Sequence, residues 1–234
     1  LIKQEEVTTI KDELVLLNRK IDSKENEFNL TKSLVDNLEG FPEAIKFLKQ
    51  NTKIGEAAPL LSDIITCDEK YRIAIENYLE QVMSYYVVEN AEEAYQSVNI
   101  LSERGKGKAH FYILDAFNDF TPNPLGTLEN TTPAIDLVEY DEKYQRLVQY
   151  ILKDVYLSET DEIPETQHTV ITLSGKIAKK TYSIFGGSVG LFEGKRIGRA
   201  KNLDKLQDLI KVLSSDREQI KTKLDRTQNE LFKL

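Results

Sequence analysis

Apolar residues recur at alternating intervals of three and four near both ends of this 234-residue chain. The first run covers residues 7–38 and departs from the pattern at Lys24 and Thr31; the second covers residues 203–234 and departs at Arg217 and Thr227. A sustained period of 3.5 residues gives a helix one narrow apolar stripe, which pairs with a second helix in a coiled coil. Because the runs have similar lengths, we expect an intramolecular antiparallel coiled coil, capped by the middle of the chain.

Composition limits what the whole chain can be. The chain has 39 acidic and 31 basic residues and a net charge of −8, which argues against a protein built mainly to bind nucleic acid. A single cysteine, Cys67, excludes an intramolecular disulfide bond and a cysteine zinc cluster. No apolar run is long enough for a membrane span and no signal peptide is visible, so we expect a soluble cytoplasmic protein. Both ends fall within a heptad, which favours a piece of a longer rod.

A short segment of the middle occurs twice. The sequence Asp-Glu-Lys-Tyr at residues 68–71 recurs at residues 141–144, and the apolar positions around the two copies agree. Each copy indicates a strand, an acidic turn and an amphipathic helix. We interpret the middle as two α/β subdomains related by a pseudo-twofold axis, with α+β character overall; a chance match of four residues is the alternative.

The boundaries of these parts follow from glycine, proline and periodicity. Gly40 and Pro42 stop the first helix, and a stretch rich in proline and asparagine separates the two subdomains. We predict a coiled-coil arm at 1–38, subdomain I at 39–120, a linker at 121–133, subdomain II at 134–199 and a second arm at 200–234. Within the subdomains the pattern predicts a helix at 91–104 and strands at 85–89, 109–114, 155–158, 168–173 and 180–185.

The densest motif is a group of glycines around one serine. Residues 186–190 fit the G-x-S-x-G turn of α/β-hydrolases, in which the histidine follows the serine. Both histidines, His110 and His168, precede it, which counts against a serine hydrolase, and no Gly-Lys-Ser/Thr follows to make a P-loop. Since glycine lets two backbones approach closely, we favour an edge strand packed against a second chain. The predicted dimer interface is Gly186, Gly187, Ser188, Gly190, Gly194 and Gly198.

A basic cluster surrounds these glycines. Phosphate binding would follow from such a cluster, and a solvated basic face is an equally acceptable interpretation. Nearby tyrosines could stack on bases, although core or interface packing is favoured for them. The candidate DNA-binding residues are Lys176, Lys179, Lys180, Lys195, Arg196, Arg199 and Lys201. The tyrosines are Tyr85, Tyr86, Tyr112 and Tyr182.

Three stretches of the middle carry a family resemblance. Residues 37–42 (NLEGFP) look like an entry from a coiled coil, residues 58–65 (APLLSDII) are similar to the start of a first subdomain, and residues 172–188 (TLSG to GGS) resemble a second subdomain's glycine motif. Together they resemble the hinge of SMC proteins, the ATPases that structure chromosomes, over about residues 37–202. The wide spacing of the glycines after Ser188 is similar to SMC proteins of one bacterial group and favours a bacterial homodimer.

The resemblance implies a non-enzymatic dimerisation hinge that acts in chromosome condensation and segregation. In this family two hinges form a twofold dimer, subdomain I of one chain meets subdomain II of the other, and the arms form a V or ring that can enclose DNA. The ATPase heads, with their ATP and Mg²⁺, would lie outside this chain. We therefore expect no catalytic residue, metal, cofactor, membrane or small-molecule substrate here, and a location in the cytoplasm at the nucleoid.

The resemblance also implies an affinity for DNA. Family hinges often bind single-stranded DNA; with a net charge of −8 we expect this binding to be weak and strongly reduced by salt. The alternative function is a nucleic-acid-binding module on a coiled-coil rod, in which dimerisation is incidental.

Overall fold

The computed structural model describes residues 2–122, 126–188 and 196–232. The chain divides into two compact units. One contains both ends, Leu1–Glu39 and Ala200–Leu234, and the other is the continuous segment Gly40–Arg199. We call the first the rod and the second the head.

The rod is built from two long helices, α1 (Ile2–Asp36) and α8 (Arg199–Phe232). They run antiparallel, because Lys3 near the start of α1 forms an ion pair with Glu230 near the end of α8. The expected coiled coil is therefore present. Its buried apolar side chains fall on the heptad stripe or beside it: Val7, Ile10, Ile21, Leu34, Leu38, Leu206 and Leu213.

Three of the four departures from the heptad pattern have a described local partner. Thr31 and Thr227 are buried, and the Thr227 hydroxyl donates to the carbonyl of Lys223 one turn earlier. Lys24 forms an ion pair with Glu27 at 2.7 Å, and Arg217 pairs with Glu218 at 3.3 Å. Thr227 thus satisfies its hydroxyl within the helix, and the two cations remain near water.

The first half of the head contains five helices around a small parallel sheet. The helices are α2 (Glu43–Asn51), α3 (Lys53–Ala57), α4 (Leu61–Ile64), α5 (Glu69–Leu79) and α6 (Ala91–Arg104), and the strands are β1 (Thr66–Cys67), β2 (Tyr86–Val88) and β3 (Phe111–Ile113). Strands β2 and β3 pair in parallel. Helix α6 has the predicted bounds because Asn90 caps its start through the Glu93 N–H and Gly105 ends it at φ 60°.

The second half forms a five-stranded sheet. The elements of this half are β4 (Thr131–Pro133), β5 (Val138–Glu139), α7 (Gln145–Leu152), β6 (Val155–Ser158), β7 (Thr169–Thr172), β8 (Ile177–Lys180) and β9 (Ser183–Gly186), and every strand except β5 belongs to the sheet. The order is β4-β6-β7-β8-β9, and only β6 and β7 are parallel. The prediction of a single strand at 180–185 was wrong, because the chain turns back at residues 181–182 to form the β8–β9 hairpin.

The internal repeat is visible as a pseudo-twofold axis. The strands preceding the two copies, β1 and β5, pair antiparallel, with Thr66 opposite Glu139. These two residues occupy equivalent places in the repeat, so the axis passes through their pair. The Tyr78 hydroxyl donates to the carbonyl of Ile151, again a residue 73 positions away.

The two halves share their main core. One apolar cluster joins Leu61, Ile75 and Leu79 of the first half to Leu147, Leu157 and other residues of the second. A smaller cluster, with Ile45, Leu48 and Tyr86, belongs to the first half alone. The repeat therefore produces two halves that bury their helices against each other.

Candidate functional site

Strand β9 is an exposed apolar edge of the five-stranded sheet. All four of its residues are exposed, with Ile184 at 71% and Phe185 at 45%, and Tyr182 in the preceding turn is 99% exposed. One side of β9 pairs with β8, and within the described residues no strand pairs with the other side. An open edge that carries large apolar side chains is a template for adding another strand.

The glycines at the end of β9 have two different roles. A Cβ on Gly186 would lie 2.0 Å from the carbonyl oxygen of Lys176, so glycine is required there by close packing within the hairpin. The N–H of Gly187 donates to the same carbonyl at 2.9 Å, but a Cβ on Gly187 would meet no atom within 4 Å. Gly187 and the exposed Ser188 therefore face space that the described residues leave open.

Gly198 lies inside the head. It is buried at φ 60°, its N–H donates to the Ser62 carbonyl, and a Cβ would lie 2.7 Å from the Thr66 methyl group. This glycine is explained by packing within one chain, which corrects its assignment to a surface that meets a partner. Gly190 and Gly194, also predicted for the interface, lie outside the described residues.

Glu76 is a buried group that sequence reasoning missed. It is 1% exposed on helix α5, and its Oε1 accepts hydrogen bonds from the N–H groups of Arg196, at 2.6 Å, and Ile197, at 2.9 Å. A carboxylate that accepts two backbone N–H groups in the interior is a strong, charge-assisted anchor. The available signal was its place beside Ile75 and Leu79 on the apolar face of the helix.

The structure does not bring the basic cluster together as one solvated face. Lys176 lies 3.9 Å from Asp161, and the Arg196 guanidinium lies 3.4 Å from Glu80. Arg199 is buried, with its guanidinium over the ring of Phe41, which corrects its assignment to a DNA-binding surface. The remaining candidates are Lys179 and Lys180 on β8, Lys201 in the rod unit, and Lys195, which lies outside the described residues.

The four tyrosines considered for stacking on bases lie in different environments. Tyr86 is buried, donates to the Ile45 carbonyl, and has its pKa raised by burial, so it belongs to the core. Tyr85 stacks on His110 with ring centroids 4.4 Å apart and touches Tyr112. Tyr182 alone of the four is fully exposed.

Groups that could support other chemistry are engaged elsewhere. His168 Nδ1 lies 2.5 Å from Asp154, and His110 stacks on Tyr85, so neither histidine forms a pair with Ser188 in the described interactions. Burial raises the pKa of the Cys67 thiol to about 11, which keeps it protonated and unreactive near neutral pH. Among the described residues, no group of three His, Cys, Asp or Glu side chains is arranged to hold a metal ion. No described helix combines the length and the hydropathy of a membrane span.

Comparisons with known proteins agree with this architecture. A family model described as "SMC proteins Flexible Hinge Domain" matches residues 55–163. The Chromosome partition protein Smc of Chlorobaculum tepidum is 29% identical over 203 residues, which cover 84% of this chain and 17% of that protein. The protein of the same name from Desulfitobacterium hafniense is 24% identical over 217 residues, covering 83% of this chain and 18% of the relative. This chain thus spans less than a fifth of these relatives.

Solved structures share the fold. An asymmetric dimer of the Geobacillus stearothermophilus SMC hinge domain superimposes with a TM-score of 0.70 at 19% identity, covering 98% of both chains. The Pyrococcus furiosus Smc hinge domain with an extended coiled coil gives a TM-score of 0.55 at 22% identity, covering 99% of this chain and 89% of the other. The chain is therefore similar to SMC hinge domains in sequence and in fold, and one long helix lies before and another after the matched segment.

Proposed function

We propose that this chain is the dimerisation hinge of a larger bacterial SMC protein. Two copies join through their heads, and each head holds a coiled-coil arm, so the dimer links two arms in a V or a ring. By analogy with the chromosome partition proteins that it resembles, the parent protein would organise and segregate DNA in the cytoplasm, at the nucleoid. The ATPase domains of that parent protein, which bind ATP and Mg²⁺, would lie outside this chain, and the hinge itself would catalyse no reaction.

The observation that carries the proposal is the open edge of β9. Burying Ile184, Phe185 and Tyr182 against a second copy would remove a large apolar surface from water, and the free backbone groups of the edge would gain partners. The complementary edge is β3, since one side of β3 pairs with β2 and no described strand pairs with the other. A β9-to-β3 contact made twice is isologous and closes at two copies.

Gly187→Trp tests this interface. The indole would project into space that is open in one chain and push the partner away. Because Gly187 has a φ of 158°, the substitution also strains the local backbone, and Ile184→Lys tests the same edge without that strain. Light scattering of the wild type should give twice the 26.8 kDa mass of one chain, and we expect the variant to raise the dimer dissociation constant at least tenfold, about 1.4 kcal/mol. Circular dichroism of the variant would show whether the fold is retained.

Tyr95→Trp is the matched control, because Tyr95 is 70% exposed on α6 and belongs to neither proposed edge. It should keep the wild-type dissociation constant. Ile184→Lys, which adds a charge to the open edge, should weaken the dimer as Gly187→Trp does. A wild type that remains monomeric at high concentration, or a Gly187→Trp dimer as tight as the wild type, would contradict the proposed interface.

Weak binding of single-stranded DNA is a secondary part of the proposal. Lys179 and Lys180 on β8, with Lys176 nearby in sequence, provide a modest positive charge on an acidic chain. The acidic partners of Lys176 and Arg196 reduce what the predicted cluster offers to phosphates. For that reason the alternative, a module devoted to nucleic-acid binding, is the less favoured function.

A further inference from the structure

A cleft with a volume of about 340 Å³ lies between the two halves of the head, apart from the outer edge of β9. Helix α5 and strand β3 supply its walls from the first half, and helix α7 and strands β7 and β8 supply them from the second. Its lining combines aromatic rings with cations. The residues that matter here are Tyr78, Tyr112, Tyr150, Lys153 and Lys180.

The two lysines of the cleft hold their ammonium groups against tyrosine rings. The Lys180 Nζ lies 5.6 Å from the ring centre of Tyr78, and the Lys153 Nζ lies 5.2 Å from that of Tyr150. Neither lysine forms an ion pair with any described carboxylate, whereas the nearby Lys176 and Arg196 do. The cleft therefore contains two ammonium groups that an anion could engage.

One carboxylate, that of Asp154, also lines the cleft. It lies 2.5 Å from the Nδ1 of His168, so it already has a hydrogen-bonding partner. Two lysines against one aspartate leave the lining with an excess of positive charge. Such an excess favours a ligand that bears negative charge.

The tyrosines add hydroxyl donors and stacking surfaces. Burial, together with the neighbouring tyrosines Tyr85, Tyr150 and Tyr78, raises the pKa of Tyr112 to about 12, so its hydroxyl stays protonated near neutral pH. Tyr78 already donates to the Ile151 carbonyl, but the hydroxyls of Tyr112 and Tyr150 make no hydrogen bond within the described chain. Tyr150 is 43% exposed and rests against Phe117 and Phe120, which hold its ring in place.

We propose that this cleft binds a nucleotide, with the base stacked on Tyr150 and the phosphate held by Lys153 and Lys180. Ammonium groups and phenol hydroxyls are suitable partners for phosphate oxygens, and an aromatic side chain accepts a base of any sequence on its face. The nucleotide is either free or part of a single strand, because both present the same ring and phosphate; in the second case the inference rests on the DNA binding proposed above and names its site. The proposal departs from the expectation that the chain binds no small molecule. The cleft contains no residue of β9, and Tyr112 is its one lining residue on β3, the other edge of the proposed dimer interface.

Isothermal titration calorimetry of the full chain at low salt tests the site with three probes: thymidine 5′-monophosphate, the trinucleotide pdTpdTpdT and inorganic phosphate. Saturable binding of the monophosphate that is at least tenfold tighter than binding of phosphate is expected, because only the nucleotide can stack. A trinucleotide at least tenfold tighter than the monophosphate identifies a single strand as the source. Equal affinities identify a free nucleotide.

Two variants locate the binding. Lys153→Gln combined with Lys180→Gln, and separately Tyr150→Leu, should each weaken the monophosphate about tenfold. The matched controls are Lys106→Gln, whose ammonium lies 5.4 Å from the ring of Phe47 outside the cleft, and the exposed Tyr95→Leu. Both controls should bind like the wild type.

The site is overturned if the monophosphate shows no saturable binding up to millimolar concentration, or if it binds no better than phosphate. Unchanged affinity in both cleft variants would overturn it as well. Light scattering of the same variants distinguishes nucleotide binding from dimerisation. The cleft variants should keep the mass of the wild-type dimer, whereas the β9 variants Gly187→Trp and Ile184→Lys should dissociate and still bind nucleotide. A crosslink from 4-thiothymidine monophosphate, mapped by mass spectrometry to the peptides around Tyr150 and Tyr78, gives a second readout that does not depend on affinity.

Discussion

At the scale of single residues, Glu76 shows how one buried side chain secures a remote segment. Its carboxylate accepts two N–H groups from Arg196 and Ile197, immediately before α8 begins at Arg199. Gly198 adds a third backbone contact through the Ser62 carbonyl. The last residues of the head are therefore held by hydrogen bonds to the first half, at a distance of more than a hundred positions in sequence.

Removing the Glu76 carboxylate should destabilise the head. Glu76→Leu leaves two N–H groups without an acceptor, and we expect it to lower the free energy of unfolding in urea by about 3 kcal/mol. Glu76→Gln keeps one side-chain oxygen as an acceptor and should cost about 1 kcal/mol. Amide hydrogen exchange at residues 196 and 197 should become faster in the same order.

Glu80→Gln is the control for this pair, since the Glu80–Arg196 contact is exposed and should contribute less than about 0.5 kcal/mol. If Glu76→Leu unfolds at the same urea concentration as the wild type, the buried anchor has no energetic role.

At the scale of elements, the rod shows that a heptad stripe tolerates a polar residue whose hydrogen bond is local. Thr227 is buried and donates to the Lys223 carbonyl, which is the usual i−4 bond of threonine in a helix. The valine side chain has a similar shape, keeps the stripe apolar and needs no partner. Thr227→Val should raise the stability of the rod by about 1 kcal/mol.

Circular dichroism during urea unfolding measures this change, and Thr222→Val provides a matched control. Thr222 makes the same kind of bond, to the Glu218 carbonyl at 2.9 Å, but it is exposed. The control should therefore change stability by only a few tenths of a kcal/mol. Equal effects of the two substitutions would attribute the gain to helix propensity instead of burial.

The β8–β9 hairpin illustrates the limit of local patterns at the same scale. Residues 180–185 read as one strand, yet Lys180 pairs with Ser183 across the turn at Thr181 and Tyr182. The turn contains neither glycine nor proline, so no local signal marked it.

At the scale of the whole molecule, charge governs any contact with nucleic acid. The chain carries a net charge of −8, and among the described candidates Lys176 and Arg196 face acidic partners and Arg199 is buried. Lys176→Glu combined with Lys179→Glu should weaken binding of a single-stranded oligonucleotide about threefold to tenfold at low salt. The logarithm of the wild-type affinity should fall with the logarithm of salt with a slope of about −2, the value for roughly three phosphate contacts.

Lys211→Glu combined with Lys221→Glu changes the net charge by the same amount at two positions on α8, in the rod unit. Fluorescence anisotropy should show little change for this pair. Equal losses in both pairs would mean that only net charge matters and that the residues of β8 form no binding surface.

Much of the architecture is encoded locally and could be predicted. The heptad runs specify two paired helices because burial of a 3.5-residue stripe depends only on spacing. Asn90 and Gly105 set the ends of α6 because a cap acts within one turn of the helix. The repeated segment specifies equivalent helix starts in the two halves. The family resemblance also rested on short continuous segments, such as residues 37–42 and 58–65.

Only the tertiary structure decided which residues far apart in sequence come into contact. Arg199 belongs to a basic cluster in the sequence but lies buried over Phe41, and Gly198 belongs to a glycine motif but packs against Thr66. Residues close together in sequence share an environment only while the chain continues in one direction, and here it turns, enters the core and leaves as α8. Burial and charge pairing depend on which distant elements come together, and no spacing rule contains that information.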